Sequence, residues 1–138
     1  MRSLYLATGY LDGATLAARC AADLPAHGLR LVEGGDWWAW PTLPRESDYM
    51  EQLRARTLIL RAEDSIMQAG RILVLLTDQC GVGTGYEIAY ARLHKLPIYW
   101  MAHGPRSKEI PPVLVGYGVR VHSVAELARL IAIREATQ

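Results

Sequence analysis

Glu87 is the side chain around which chemistry could be built. It closes the run Thr77-Asp78-Gln79-Cys80-Gly81-Val82-Gly83-Thr84-Gly85-Tyr86-Glu87, whose three glycines let the backbone come close to a ligand. The run is neither a dinucleotide fingerprint nor a Walker loop. It lacks the third glycine of G-x-G-x-x-G, and no Gly-Lys-Ser/Thr follows, so hydride transfer and ATP hydrolysis find no support in it. Two readings of Glu87 compete. Thr84 to Glu87 has the spacing of a capping box, which would make the carboxylate a structural partner in a helix's first turn. The same N–H groups and positive helix end would keep the carboxylate ionised and ready as a nucleophile. Spacing alone leaves both open.

The other reactive residue types form no constellation. Cys20 and Cys80 make neither a CxxC nor a zinc pattern and read as free thiols. Cys80 sits in the polar loop but has no assigned base. His27, His94, His103 and His122 fall near element ends, and no two have metal-ligand spacing on one element. No metal and no bound redox cofactor are expected.

Elements that alternate must position Glu87. Ser3 to Thr8 reads as a short buried strand, followed by a Gly9/Gly13 loop and a helix from about Asp12 to His27 that Gly28 closes. Leu29 to Val32 is a second strand. Trp37-Trp38-Ala39-Trp40-Pro41-Thr42-Leu43-Pro44 is irregular because of its prolines, and its tryptophans are costly to leave in water, so the segment should fold over something. A long helix is expected from about Arg45 to Ala69. Met50, Leu53, Leu60 and Met67 form one stripe and Leu58, Ile59 and Ile66 widen it, more apolar surface than one sheet face needs.

Ile72 to Leu76 is a continuous apolar run of the kind found in sheets covered on both faces. A helix from Thr84 to about Lys95 follows the glycine-rich loop. Pro97 to Met101 is a fourth strand, His103 to Pro112 a loop, and Val119 to His122 a fifth strand. Ser123 opens the last helix, with Glu126 completing a capping box. The pattern predicts one α/β domain over residues 1–138: a doubly wound, flavodoxin- or Rossmann-like, five-stranded parallel sheet with helices on both faces. Ligands then bind beyond the carboxyl ends of the strands, at loops 8–13 and 77–87.

Leu4-Tyr5-Leu6-Ala7-Thr8-Gly9-Tyr10 and Gly81 to Ala91, GVGTGYEIAYA, resemble the first strand and the glutamate signature of the nucleoside 2-deoxyribosyltransferases and the related deoxynucleotide and CMP N-hydrolases. The resemblance covers nearly the whole chain in element order, and its specific part is 81–91. It implies that Glu87 attacks C1′ of a bound nucleoside or nucleotide, displaces the base and forms a glycosyl-enzyme intermediate that a second base or water resolves. This follows the logic of retaining glycosidases. Asp64 falls where the family places an aspartate before the glutamate, so the resemblance makes it the group that orients or protonates the base. Tyr5 would direct its hydroxyl at the glutamate or sugar. Thr8, Gly9, Tyr10, Asp78, Gly81, Gly83 and Tyr86 would line the pocket, and Trp37 and Trp38, with Trp40, would cover the base.

The chain departs from the family at two places. Gly81 stands six residues before the glutamate, where transferases carry an aspartate and hydrolases often a serine; Asp78 is the nearest acid that could substitute. Pro111-Pro112-Val113-Leu114 has no match to the family's asparagine before the last strand, in a segment that reaches a neighbour's active site. Together with the broad apolar stripe of the long helix, this implies a homo-oligomer with shared sites.

Fifteen basic residues against 14 acidic ones, with no basic run, argue against polymeric nucleic acid as partner. No apolar run suits a secretory leader or a membrane span, so a cytoplasmic protein acting on small molecules is expected. The first loop lacks the Arg or Ser that binds phosphate well, which favours a free nucleoside over its 5′-monophosphate. A rival reading is a non-catalytic nucleotide-binding or sensor module of the same fold, consistent with Gly81 and with Glu87 as a plain cap. A phosphoacceptor receiver is disfavoured because the first strand ends in Thr8-Gly9 without an acidic pair.

Overall fold

The structure, a computed structural model, describes residues 1–8, 14–32, 48–77, 82–103 and 110–136. Its strands are β1 (Arg2–Thr8), β2 (Leu29–Leu31), β3 (Ile72–Leu76), β4 (Ile98–Ala102) and β5 (Gly118–Arg120). Its helices are α1 (Ala14–Asp23), α2 (Asp48–Ala69), α3 (Val82–Leu93), α4 (Pro112–Tyr117) and α5 (Val124–Glu135), with a 3-10 turn at Pro25–His27. The strands form one all-parallel sheet in the order β2-β1-β3-β4-β5. This is the doubly wound, flavodoxin-like order expected from the alternation of elements.

Strand alternation divides the core into two layers. Tyr5, Ala7, Ile72, Val74, Ile98 and Trp100 face Ala62 and Ile66 of α2, Ile88 and Ala91 of α3, and Leu114 of α4. Leu4, Leu73, Leu75 and Tyr99 face the opposite way, toward Cys20 of α1, Leu24, and Leu127 and Ile131 of α5. All five residues of β3 are buried, which explains why its sequence is apolar without alternation. Each such Leu or Ile removed from water contributes about 1.5–3 kcal/mol.

Four expectations need correction. The expected helix to His27 stops at Asp23, because Pro25 cannot continue α-helical bonding; the chain tightens into the 3-10 turn and leaves it through Gly28 at φ 75°. The expected 103–112 loop, of which 104–109 lie outside the described residues, gives up only its last residue to α4. Pro112 occupies its first turn, where a missing N–H costs nothing, and Pro111 is extended at ψ 136°, as a residue before proline prefers. The fifth strand starts at Gly118 and ends at Arg120. On α2 the core face is Ala62, Ser65, Ala69 and, from the expected apolar set, Ile66, whereas Met50, Leu53, Leu60 and Met67 are exposed. Small side chains let this helix lie close on β1 and leave the bulky row outside. Among the described residues, no helix is long and apolar enough to cross a membrane.

Candidate active site

The chain leaves β1 toward β2 and later returns to β3 on the other side of β1, which makes the carboxyl ends of β1 and β3 the topological switch point where doubly wound sheets bind ligands. Thr8 and Leu75 are paired across this edge, and the Thr8 hydroxyl donates to the Leu75 carbonyl at 3.1 Å. The expected mouth residues Gly9, Tyr10, Asp78 and Gly81 lie outside the described residues, as do Trp37, Trp38, Trp40 and Cys80.

The glycine-rich run feeds α3, whose buried stripe is Thr84, Glu87, Ile88 and Ala91, at i, i+3, i+4 and i+7. The apolar members seal the helix to the sheet, and the polar pair occupies its amino-terminal half, nearer the switch point. Glu87 is 2% exposed and is the one buried charged side chain among the described residues. The capping-box reading is corrected here. Because α3 begins at Val82, Thr84 is inside the helix and Glu87 is its sixth residue, beyond the first turn where caps and the helix dipole act. A carboxylate is rarely taken out of water for packing alone, and buried acids concentrate at functional sites.

Tyr5 shares the sheet face that α3 covers and is 2% exposed. Its register partner is Ile72, which puts it three residues, about 10 Å, below Thr8, with only the small Ala7 above it on that face. Gly83 is half-buried in the first turn of α3. Tyr86 is exposed and donates its hydroxyl to the Glu63 carboxylate of α2. That bond, with a small contribution from burial, holds the Tyr86 phenol above its ordinary range. It links α3 to α2. Tyr86 stacks along the helix on Tyr90 at 6.4 Å between centroids, and the Tyr90 ring lies tilted at 49° against that of His94 at 4.4 Å.

Asp64 is exposed, while its neighbour Glu63 is half-buried at the α2–α3 seam. At about 100° per residue, Asp64 lies on the far side of α2 from the inward row of Ala62, Ile66 and Ala69. Sequence reasoning missed both Glu63 and Thr84. Ala62 and Ala69 were the usable signal, since small residues at helical spacing mark the face that lies closest to the sheet.

Among the described residues, no three His, Cys, Asp or Glu side chains come together as a metal site would require. Cys20 is buried against the opposite sheet face, where desolvation and then the Asp23 charge push its thiol from 9.0 up to about 11. It is inert packing rather than a nucleophile. The described site therefore consists of a buried carboxylate, a buried hydroxyl one turn before it and a buried tyrosine on the sheet face that α3 covers. No protein-family model and no curated protein matches the chain.

Proposed function

We propose that this chain cleaves the N-glycosidic bond of a 2′-deoxynucleoside or its 5′-monophosphate and passes the deoxyribosyl group to another nucleobase or to water. The observation that carries this reading is Glu87, a carboxylate buried in the second turn of α3 beside the switch point between β1 and β3, where the capping explanation no longer applies. The resemblance of residues 81–91 to the deoxyribosyltransferase signature supplies the reaction class.

In the proposed reaction a Glu87 carboxylate oxygen bonds to C1′ as the C1′–N bond breaks. The electron pair leaves on the base nitrogen, which takes a proton from an acid. A nitrogen of a second base, or a water oxygen, then attacks C1′ and frees the carboxylate, returning the proton to the acid. Of the adjacent acids Glu63 and Asp64 on α2, the half-buried position of Glu63 and its bond to Tyr86 support it over the exposed Asp64. Tyr5, buried on the same face, is assigned to orient the glutamate or the sugar. The partner we propose is a small molecule, handled in the cytoplasm by a homo-oligomer that joins through the exposed α2 row of Met50, Leu53, Leu60 and Met67.

The test is to incubate the purified protein with the four 2′-deoxynucleosides and their monophosphates, with and without a second free base, and to separate the products by chromatography. Base release without acceptor identifies an N-hydrolase, and a new nucleoside formed only with acceptor identifies a transferase. Binding without any turnover would replace this reading with the non-catalytic nucleotide-binding module.

A further inference from the structure

Thr84 is 2% exposed, and its hydroxyl has no hydrogen-bond partner. The other threonines of known bonding behave differently: Thr57 on α2 donates to the Leu53 carbonyl one turn back at 2.9 Å, and Thr8 donates across the sheet to Leu75. A buried hydroxyl left unbonded destabilises the fold, whereas valine would fill the same volume without that penalty. Local rules broken in this way concentrate where a ligand completes the bonding.

The position agrees. Thr84 and Glu87 share the buried face of α3 at i and i+3, about 5–6 Å apart between Cβ atoms, with Thr84 nearer the amino end of the helix. The ligand group is neutral. An anion drawn to the amino end of α3 would meet the Glu87 carboxylate one turn away, whereas a hydroxyl both donates and accepts and suits either neighbour.

We propose that the Thr84 hydroxyl binds ligand, exchanging a hydrogen bond with a sugar hydroxyl of the compound whose anomeric carbon faces Glu87. A pentose ring spans about the distance between the two side chains, so one sugar engages both. This assignment rests on reading Glu87 as the nucleophile.

The test compares Thr84→Val and Thr84→Ser with the unsubstituted protein in three measurements. These are ligand-free thermal melting, turnover of the four 2′-deoxynucleosides, and calorimetric binding of the same nucleosides and their free bases in a Glu87→Gln background. The expected result is that Thr84→Val melts higher than the unsubstituted protein, binds the nucleosides at least about 10-fold more weakly and leaves free-base binding unchanged, with Thr84→Ser restoring affinity. Unaltered nucleoside affinity and turnover in Thr84→Val would overturn the assignment of Thr84 and leave Glu87 as nucleophile intact. If the unsubstituted protein neither binds nor turns over any nucleoside, the proposed function falls and this assignment falls with it. That failure shows before any variant is made.

Discussion

Glu87→Gln keeps the volume of the side chain, removes its charge and so separates packing from chemistry at one position. The variant is expected to stay folded, while the proposed deoxyribosyl transfer or hydrolysis falls by roughly 10³-fold or more. Circular dichroism and the chromatographic assay read the two effects. The acids on α2 divide similarly. Glu63→Gln is expected to lower the proposed turnover by about 10²-fold or more and Asp64→Asn to leave it unchanged, because only Glu63 bonds across to α3.

Cys20 provides a residue-scale test of the opposite core layer. Its folded-state thiol titrates at about 11 and its unfolded one near 9.0, so the fold prefers the neutral form. Its contribution to stability is intact below pH 9 and is lost as the pH rises from 9 toward 11. At pH 8 only about one thiol in a thousand is ionised, and peptide mapping after brief iodoacetamide treatment should find Cys20 unmodified until denaturant is added. Glu87 was legible at this scale because its spacing from the glycines survives without coordinates. Glu63 and Thr84 were not, since which of two adjacent acids bonds to α3, and whether a hydroxyl finds a partner, depend on packing.

At the scale of elements, the two capping boxes read from sequence came out differently. Ser123 does cap α5: its hydroxyl accepts from the Glu126 N–H at 3.1 Å, and the Glu126 carboxylate reaches back to the His122 N–H at 3.0 Å. Ser123→Ala should cost about 1 kcal/mol in urea unfolding. The Thr84 box fails because nothing stops helical bonding at residue 84, and α3 runs back through Gly83 to Val82. Gly85 then sits in a helix with neither a positive φ nor a packing neighbour to require it. Gly85→Ala is expected to stabilise the ligand-free fold by about 0.5–1 kcal/mol. Gly118 is the contrary case. A Cβ there would come within 2.7 Å of the Leu114 carbonyl oxygen and 2.8 Å of the Trp100 ring, so Gly118→Ala should destabilise the α4–β5 junction by about 1–3 kcal/mol.

At the scale of the whole molecule, Arg71 pins the base of the sheet. Its guanidinium donates to Glu135 at the end of α5 at 2.8 and 3.0 Å, to the Ala69 carbonyl at 3.2 Å and to the Ser3 carbonyl, so β1, the end of α2 and α5 meet at one side chain. Arg2 approaches the same carboxylate at 3.8 Å. Arg71→Ala leaves Glu135 half-sheltered beside a weaker partner and should cost about 2–4 kcal/mol, lowering the urea midpoint with little change in slope. The alternation of apolar runs with helical periodicity determined the α/β class, the parallel sheet and the edge at which Glu87 emerges. These follow from local chain geometry, since a strand must bury both faces and a helix only one. Tertiary structure decided which side of α2 meets the sheet, that Glu63 rather than Asp64 bonds to Tyr86 of α3, that Pro112–Tyr117 forms α4 and that Thr84 is buried unbonded. Each of these depends on how closely two surfaces can approach, and that distance is set by residues far apart in the chain.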